Sequence, residues 1–233
     1  MGKTLQLEPS PKNHIETLMR VGYSLEMAVG DIIDNSIAAK ASNIWIYSPP
    51  SDNPFISITD DGHGMAELEL QENMRIGCKN PKDERDETDL GRFGSGMKTA
   101  SFSVARSLTV ISKKEGKPIC ACIYDIDQII QNDKWIVEAL SEDEILKIPE
   151  LSKVFKSGHG TQLIWKNMSR YKSSTMREIN ENALAEDIAS IKKYLSIYFH
   201  RFMEGKDKVN FFVNNDKIIP TDPFLTKENG YTE

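Results

Sequence analysis

The chain has 233 residues, 39% hydrophobic and 27% charged, a balance that suits one substantial globular domain, or one domain and the start of another, and excludes a disordered segment. Its formal charge of −6 argues against a strong nucleic-acid binder acting alone, no apolar run reaches membrane-spanning length, and the N-terminus lacks a signal peptide's apolar core. The cysteines, Cys78, Cys120 and Cys122, form no Cys-x-x-Cys pair, so a soluble protein of the reducing cytoplasm is expected.

Helical spacing marks one helix through Ile15, Leu18 and Met19 and a second through Met27, Ala28, Ile32, Ile33 and Ile37, with Ser24 as its N-cap. "NIWIYS" then alternates as a strand, with Ile44 and Ile46 against Trp45 and Tyr47. A Pro-rich turn follows, and "FISIT" returns as the hairpin partner, running into "DDGHGM". The segment from Glu67 to Leu90 changes character and ends in the charge run "KNPKDERDETD". Beyond it come a small-residue helix in "MKTASFSVA", strands in "SLTVISKK" and "PICACIYDI", a helical stretch around "SEDEILKI", and a strand in "HGTQLIWKNM". Cys120 and Cys122 share one face of their strand, where buried thiols are expected. A long amphipathic helix carries Leu184, Ile188, Ile191, Leu195 and Phe199 on one stripe, and "KVNFFVNNDKII" follows as strand and turn.

Four polar sites punctuate these elements. "GRFGSGMKT" has the residues of a phosphate loop but not its order. Met97 separates Gly96 from Lys98, and a charged run, not an apolar strand, precedes Gly91. The dinucleotide fingerprint fails too, since the spacing is Gly-x-x-Gly-x-Gly. A glycine-rich turn opening a helix still offers backbone N–H groups and a positive dipole to an anion, although such turns are often only turns. In "DIIDNS", Asp31 and Asn35 lie four apart on one helical face, able to orient a water and ligate a hard cation, or simply to form an exposed polar face. "DDGHGM" puts Asp60 at a strand end before two glycines, and Gly160-Thr161 brings a hydroxyl to the start of a later strand. His14, His63, His159 and His200 show no metal-ligand spacing, and His63 and His159 stand at the mouth of any pocket these motifs form.

Taken together, "DIIDN", "DDGHGM", "GRFGSGMKTASF" and "GTQLIW" resemble the N box, the two glycine boxes and the Gly-Thr motif of the GHKL ATPases, the superfamily of DNA gyrase B, heat-shock chaperones, histidine kinases, MutL and MORC proteins. The lysine in "GRFGSGMKTAS" is most similar to MORC proteins and their prokaryotic relatives. The resemblance implies an α/β (α+β) two-layer sandwich, the Bergerat ATP-binding fold, with a mixed, largely antiparallel sheet and helices on one face. It implies an ATP-binding domain over residues 1–219 with a lid at about 66–97, and the start of a truncated following region at 220–233. The implied cofactors are ATP and Mg2+. Asp60 matches the acceptor of the adenine amino group, and Thr161 the hydroxyl that orders water beside it. Gly62 and Gly64 match backbone under the base, Met65 its apolar packing, and Asn35 the Mg2+ ligand. Arg92, Phe93, Gly94, Ser95, Gly96 and Met97 match the turn that holds the phosphates. Lys98 matches a phosphate-neutralising cation, or alternatively a structural partner of nearby carbonyls. The family's general base is usually glutamate where this chain has Asp31, one methylene shorter, and Asp34 is expected in a supporting or surface role. Slow ATP hydrolysis with lid closure and ATP-dependent homodimerisation is therefore implied, in a clamp or switch whose DNA contacts lie in other regions or in the dimer. The alternative is an ATP sensor with little or no turnover.

Overall fold

The computed structural model describes residues 9–20, 22–51, 53–77, 96–168 and 177–224, with side chains from residue 182 onward in the last segment. In chain order the helices and strands are α1 (Pro11–Leu18), α2 (Leu25–Ala38), β1 (Asn43–Tyr47), β2 (Ile56–Asp60), α3 (Glu67–Met74), α4 (Gly96–Val104), β3 (Ala105–Lys113), β4 (Cys120–Asp125), α5 (Ile126–Asn132), β5 (Glu138–Leu140), α6 (Glu142–Ile145), β6 (Gly160–Met168), α7 (Arg177–Tyr198), β7 (Asn210–Val213) and β8 (Asp216–Lys217). The strands form one eight-stranded sheet in the order β5-β4-β3-β6-β2-β1-β7-β8, antiparallel throughout except for the parallel β1–β7 pair. This is the mixed α/β sandwich expected from the motifs.

Strand register explains where the core sits. Antiparallel partners point to the same face of a sheet. Ile56, Trp165, Leu108 and Tyr124 are register partners across β2, β6, β3 and β4, and Ile58, Leu163, Val110 and Cys122 form the next row. Both rows are buried under the helical layer with Ile32 and Ile33 of α2 and Ile191 and Leu195 of α7. The intervening residues Ile111, Ala121 and Ile164 point the other way. They form a small second core with Ile145 of α6 and Phe155 of a 3-10 turn, so the reverse face is partly covered as well.

Local chemistry sets the boundaries. Ser24 caps α2 by accepting from the Met27 amide, as its sequence position suggests. Met27 itself is 53% exposed rather than core, because the buried arc of α2 runs through Leu25, Ala28, Val29, Ile32 and Ile33 and leaves Met27 beyond its edge. Helix α5 is not visible in apolar periodicity. It starts because Asp125, ending β4, accepts from the Asp127 and Gln128 amides. Helix α3 lies within the stretch expected to be lid, yet Leu70 and Met74 are buried and the Tyr124 hydroxyl donates to the Met74 carbonyl at 2.7 Å. Among the described residues no helix is long and apolar enough to cross a membrane.

The stripe on α7 is a direct test of this packing. Leu195→Ala, at a fully buried position, is expected to cost about 2–5 kcal/mol, while Lys193→Ala on the exposed face stays within about 0.5 kcal/mol, both read by denaturant unfolding.

Candidate nucleotide site

At the end of the sheet nearest α2, the apolar rows give way to a polar one. Asp60, Thr161, Ser112 and Cys120 are register partners across β2, β6, β3 and β4, on the same face as the core. Asp60 is only 6% exposed. A buried carboxylate is tolerated only where donors surround it. Its Oδ1 accepts from the Gly62 amide at 2.9 Å and the Thr161 amide at 3.3 Å, and its Oδ2 from the Ser36 hydroxyl at 2.8 Å. Burial pushes the Asp60 carboxyl above the usual range, and these three bonds pull against that rise without cancelling it.

The "DDGHGM" loop folds over this row. Asp61 faces away from Asp60 and accepts from the Ser42 and Asn43 amides and the Asn43 side chain, tying the loop to the end of α2 and the start of β1. Gly64 has φ +62, and a Cβ there would lie 2.0 Å from the Lys113 carbonyl oxygen. Gly160 has φ +141, and its Cβ would lie 2.0 Å from the Asp60 carbonyl oxygen. Only glycine allows the strand ends to approach this closely. His63 and His159 each present Nδ1 to a loop carbonyl, Gly64 at 2.8 Å and Gly62 at 2.6 Å, so both act as straps on the loop at the pocket's mouth. The Met65 amide donates to the Ser112 hydroxyl at 2.8 Å.

Helix α2 carries the second half of the site. Ser36 faces inward to Asp60, while Asp31 and Asn35 lie on the outer face one turn apart. The Asn35 side-chain nitrogen donates to the Asp31 carbonyl at 2.8 Å, leaving the carboxamide oxygen for a cation. Burial raises the Asp31 carboxyl above the ordinary range, and the Tyr23 hydroxyl beside it works against the rise. Asp34 is raised by burial and then by the Asp31 charge. Gly96, the first residue of α4, adjoins Asp31, since a Cβ there would stand 3.7 Å from Oδ2. The glycine turn's end and the helix carboxylate are thus neighbours. Met97 packs against the core from its partly buried position. Lys98 is 2% exposed and donates to the Asn73 carbonyl at the end of α3. Arg92, Phe93, Gly94 and Ser95 lie outside the described residues.

The structure therefore brings Asp60, Gly62, Gly64, Met65 and Thr161 into one cluster and Asp31, Asn35 and Gly96 into another, joined by Ser36. Ser36, Asp61 and Ser112 were not singled out in the sequence. Ser36 interrupts the buried arc of α2, and Ser112 follows Leu108 and Val110 at the inward parity of β3, so both carried a legible sign as polar residues in apolar positions. Asp61 carried none. A separate cleft of about 470 Å3 lies behind Cys120, between Ala66–Gln71 and Ala139–Glu142, where burial pushes the Cys120 thiol up to about 11 and leaves it unreactive.

A family model described as "Histidine kinase-, DNA gyrase B-, and HSP90-like ATPase" matches residues 23–161, a stretch that opens just before α2 and closes on Thr161. The protein ATPase MORC2 of Homo sapiens is 27% identical over 146 residues, which are 60% of this chain and 14% of that protein. ATPase morc-1 of Caenorhabditis elegans is 29% identical over 90 residues, 38% of this chain and 10% of that protein. The chain thus spans a small part of the length of the curated relatives it matches.

Replacing Asp60 separates stability from recognition. An asparagine there keeps an acceptor for the Gly62 and Thr161 amides and can donate to Ser36, which has the Ile32 carbonyl as its own acceptor at 3.3 Å. A carboxyl raised by folding stabilises when protonated, at low pH, and that contribution is lost as pH rises through its folded pKa. At pH 7 Asp60→Asn is therefore expected to keep or raise the melting temperature and to flatten its pH dependence, as read by calorimetry.

Proposed function

This chain belongs to the histidine kinase-, DNA gyrase B- and HSP90-like ATPase family, with MORC-like motifs, and on that premise we propose that it binds ATP over the Asp60 row and hydrolyses it slowly. The observation that carries the reading is the buried Asp60 carboxylate, fixed by three donors where apolar sheet rows end. An ionised carboxylate accepts from the adenine amino group, whereas guanine would turn a carbonyl oxygen toward it. Thr161 stands beside it to hold water against the base, and the Gly62–Met65 backbone forms the wall.

Around the triphosphate, Asn35 fits a Mg2+ ion. That ion takes few protein oxygens and keeps waters and phosphate oxygens, and the carboxamide oxygen is the atom that Asn35 leaves for it. Mg2+ when bound would neutralise charge on the triphosphate. Lys98 is proposed to exchange its bond to the Asn73 carbonyl for a phosphate oxygen, and the turn at Arg92–Met97 to supply amides to the phosphates. Asp31 would orient and deprotonate the attacking water, its basicity heightened by burial. Closure of a lid at about 66–97, ATP-driven homodimerisation and a clamp or switch role in a larger DNA-associated protein extend this reading through the family resemblance. A second reading, an ATP sensor with little turnover, is favoured by the shortness of Asp31 relative to the family's glutamate.

Isothermal titration with ATP and magnesium is expected to show binding that Asp60→Ala abolishes. Steady-state hydrolysis is expected to fall by about 10²-fold or more in Asp31→Ala and Asp31→Asn, with ATP affinity within a few-fold of the parent. The parental rate falls on the acid side through a pKa above the usual carboxylate range, because only ionised Asp31 takes the proton. Full parental rates in both variants would remove Asp31 as the base. A parent that binds ATP tightly without turnover would establish the sensor.

A further inference from the structure

Resting on the ATP-binding reading, we infer that Ser112 is a positioning residue for purine specificity, fixing the proton of the Thr161 hydroxyl so that this side chain meets the nucleotide only as an acceptor.

The Ser112 hydroxyl is fully buried and sits at the centre of three bonded groups. It receives the Met65 amide at 2.8 Å, approaches the Gly160 carbonyl at 3.1 Å and the Thr161 hydroxyl at 2.9 Å, while the Ser112 backbone carbonyl accepts from the Cys120 thiol at 3.3 Å. A serine hydroxyl has one proton and two lone pairs. The Met65 amide can only donate and the Gly160 carbonyl can only accept. One assignment satisfies every contact: Ser112 donates to Gly160 and accepts from both Met65 and Thr161. The Thr161 proton is then committed to Ser112, and Thr161 Oγ1 offers lone pairs alone. Its amide is committed as well, to Asp60 Oδ1.

The pocket floor beside the base therefore presents two acceptors and no donor from this pair. A water held between Thr161 Oγ1 and the purine N1 must give one proton to the threonine, and its other proton points at N1. Adenine N1 is an acceptor and completes the bond; guanine carries a proton there and opposes it. Without Ser112 the Thr161 hydroxyl is free to turn its own proton into the pocket, the water is released to reverse, and this share of the discrimination disappears. Asp60 still supplies its own share. Ser112 touches no nucleotide atom in this arrangement and acts wholly through Thr161.

The test is a double-mutant cycle read as the ratio of GTP to ATP dissociation constants, measured calorimetrically with magnesium on the parent, Ser112→Ala, Thr161→Val and the double variant. Ser112→Ala is expected to lower the ratio about tenfold, as for one misplaced buried hydrogen bond. In the Thr161→Val background the same replacement is expected to leave the ratio unchanged. Ser112→Cys, close in volume and a weak hydrogen-bonding group, shifts the ratio in the same direction and keeps the test open if the alanine variant does not fold. A Ser112 variant that weakens ATP and GTP equally, as a merely structural loss would, overturns the proposal, and so does a full effect in the Thr161→Val background. A parent that binds neither nucleotide overturns the ATP reading itself, an outcome distinct from a parent that binds ATP with a ratio indifferent to Ser112.

Discussion

A carboxyl group in the core of a sheet is the constraint around which the rest is arranged. Asp60 ends a strand whose five residues are all buried, and its carboxylate is kept there only because β6, α2 and the following loop each contribute a donor. Those donors dictate geometry. The Thr161 amide requires the β2–β6 register, the Gly62 amide requires the chain to turn back at once, and the Ser36 hydroxyl requires α2 to pass directly over the strand end. Gly160 follows from the same demand, since any side chain there would strike the Asp60 carbonyl oxygen. The donors reduce the desolvation penalty but do not remove it, so the fold holds an energetically costly group at one defined place. Groups of that kind cluster at functional sites.

Helix α2 converts this anchor into a ruler. Successive residues on a helix are turned by about 100°, so Ser36 can grip Asp60 while Asn35, its neighbour, stands exposed on the outer face with Asp31 a turn earlier. The separation between Asp60 and the Asp31 carboxylate is therefore set through one rigid element. Tyr194 of α7 lies against Gly30 closely enough that a Cβ there would meet its hydroxyl at 2.8 Å, which seats the helix from behind. Gly96 closes the arrangement by bringing the N-terminus of α4 to Asp31.

Much of this was legible in the sequence because it rests on periodicity and on motifs whose order survives as text. The α2 and α7 stripes, the β1–β2 hairpin and the inward face shared by Cys120 and Cys122 follow from spacing, whereas the association of Asp60 with Thr161 is implied only by the family resemblance. The parts that were not legible depend on contacts between residues far apart in the chain. Ser112 lies 49 positions from Thr161, and only the β3–β6 register puts their hydroxyls within 2.9 Å. Asp61 is indistinguishable from a second turn aspartate until the end of α2 is seen to offer it two amides. The short β5 and α5 have too few residues for periodicity to declare, and α5 owes its start to a capping aspartate that reads equally well as the end of a strand.

The replacement of the usual glutamate by Asp31 gains a physical context from its neighbours. A shorter side chain loses reach, and reach matters steeply for proton transfer. Partial burial acts in the opposite sense by making the carboxylate a stronger base, and Asp34 on the next turn is raised likewise, by burial first and then by the Asp31 charge. The Tyr23 hydroxyl beside Asp31 limits the rise there. With Asp31 as the proposed base, distance and basicity would therefore pull hydrolysis in opposite directions. Because proton transfer depends steeply on approach, turnover under the proposed reading is expected to be slow rather than fast.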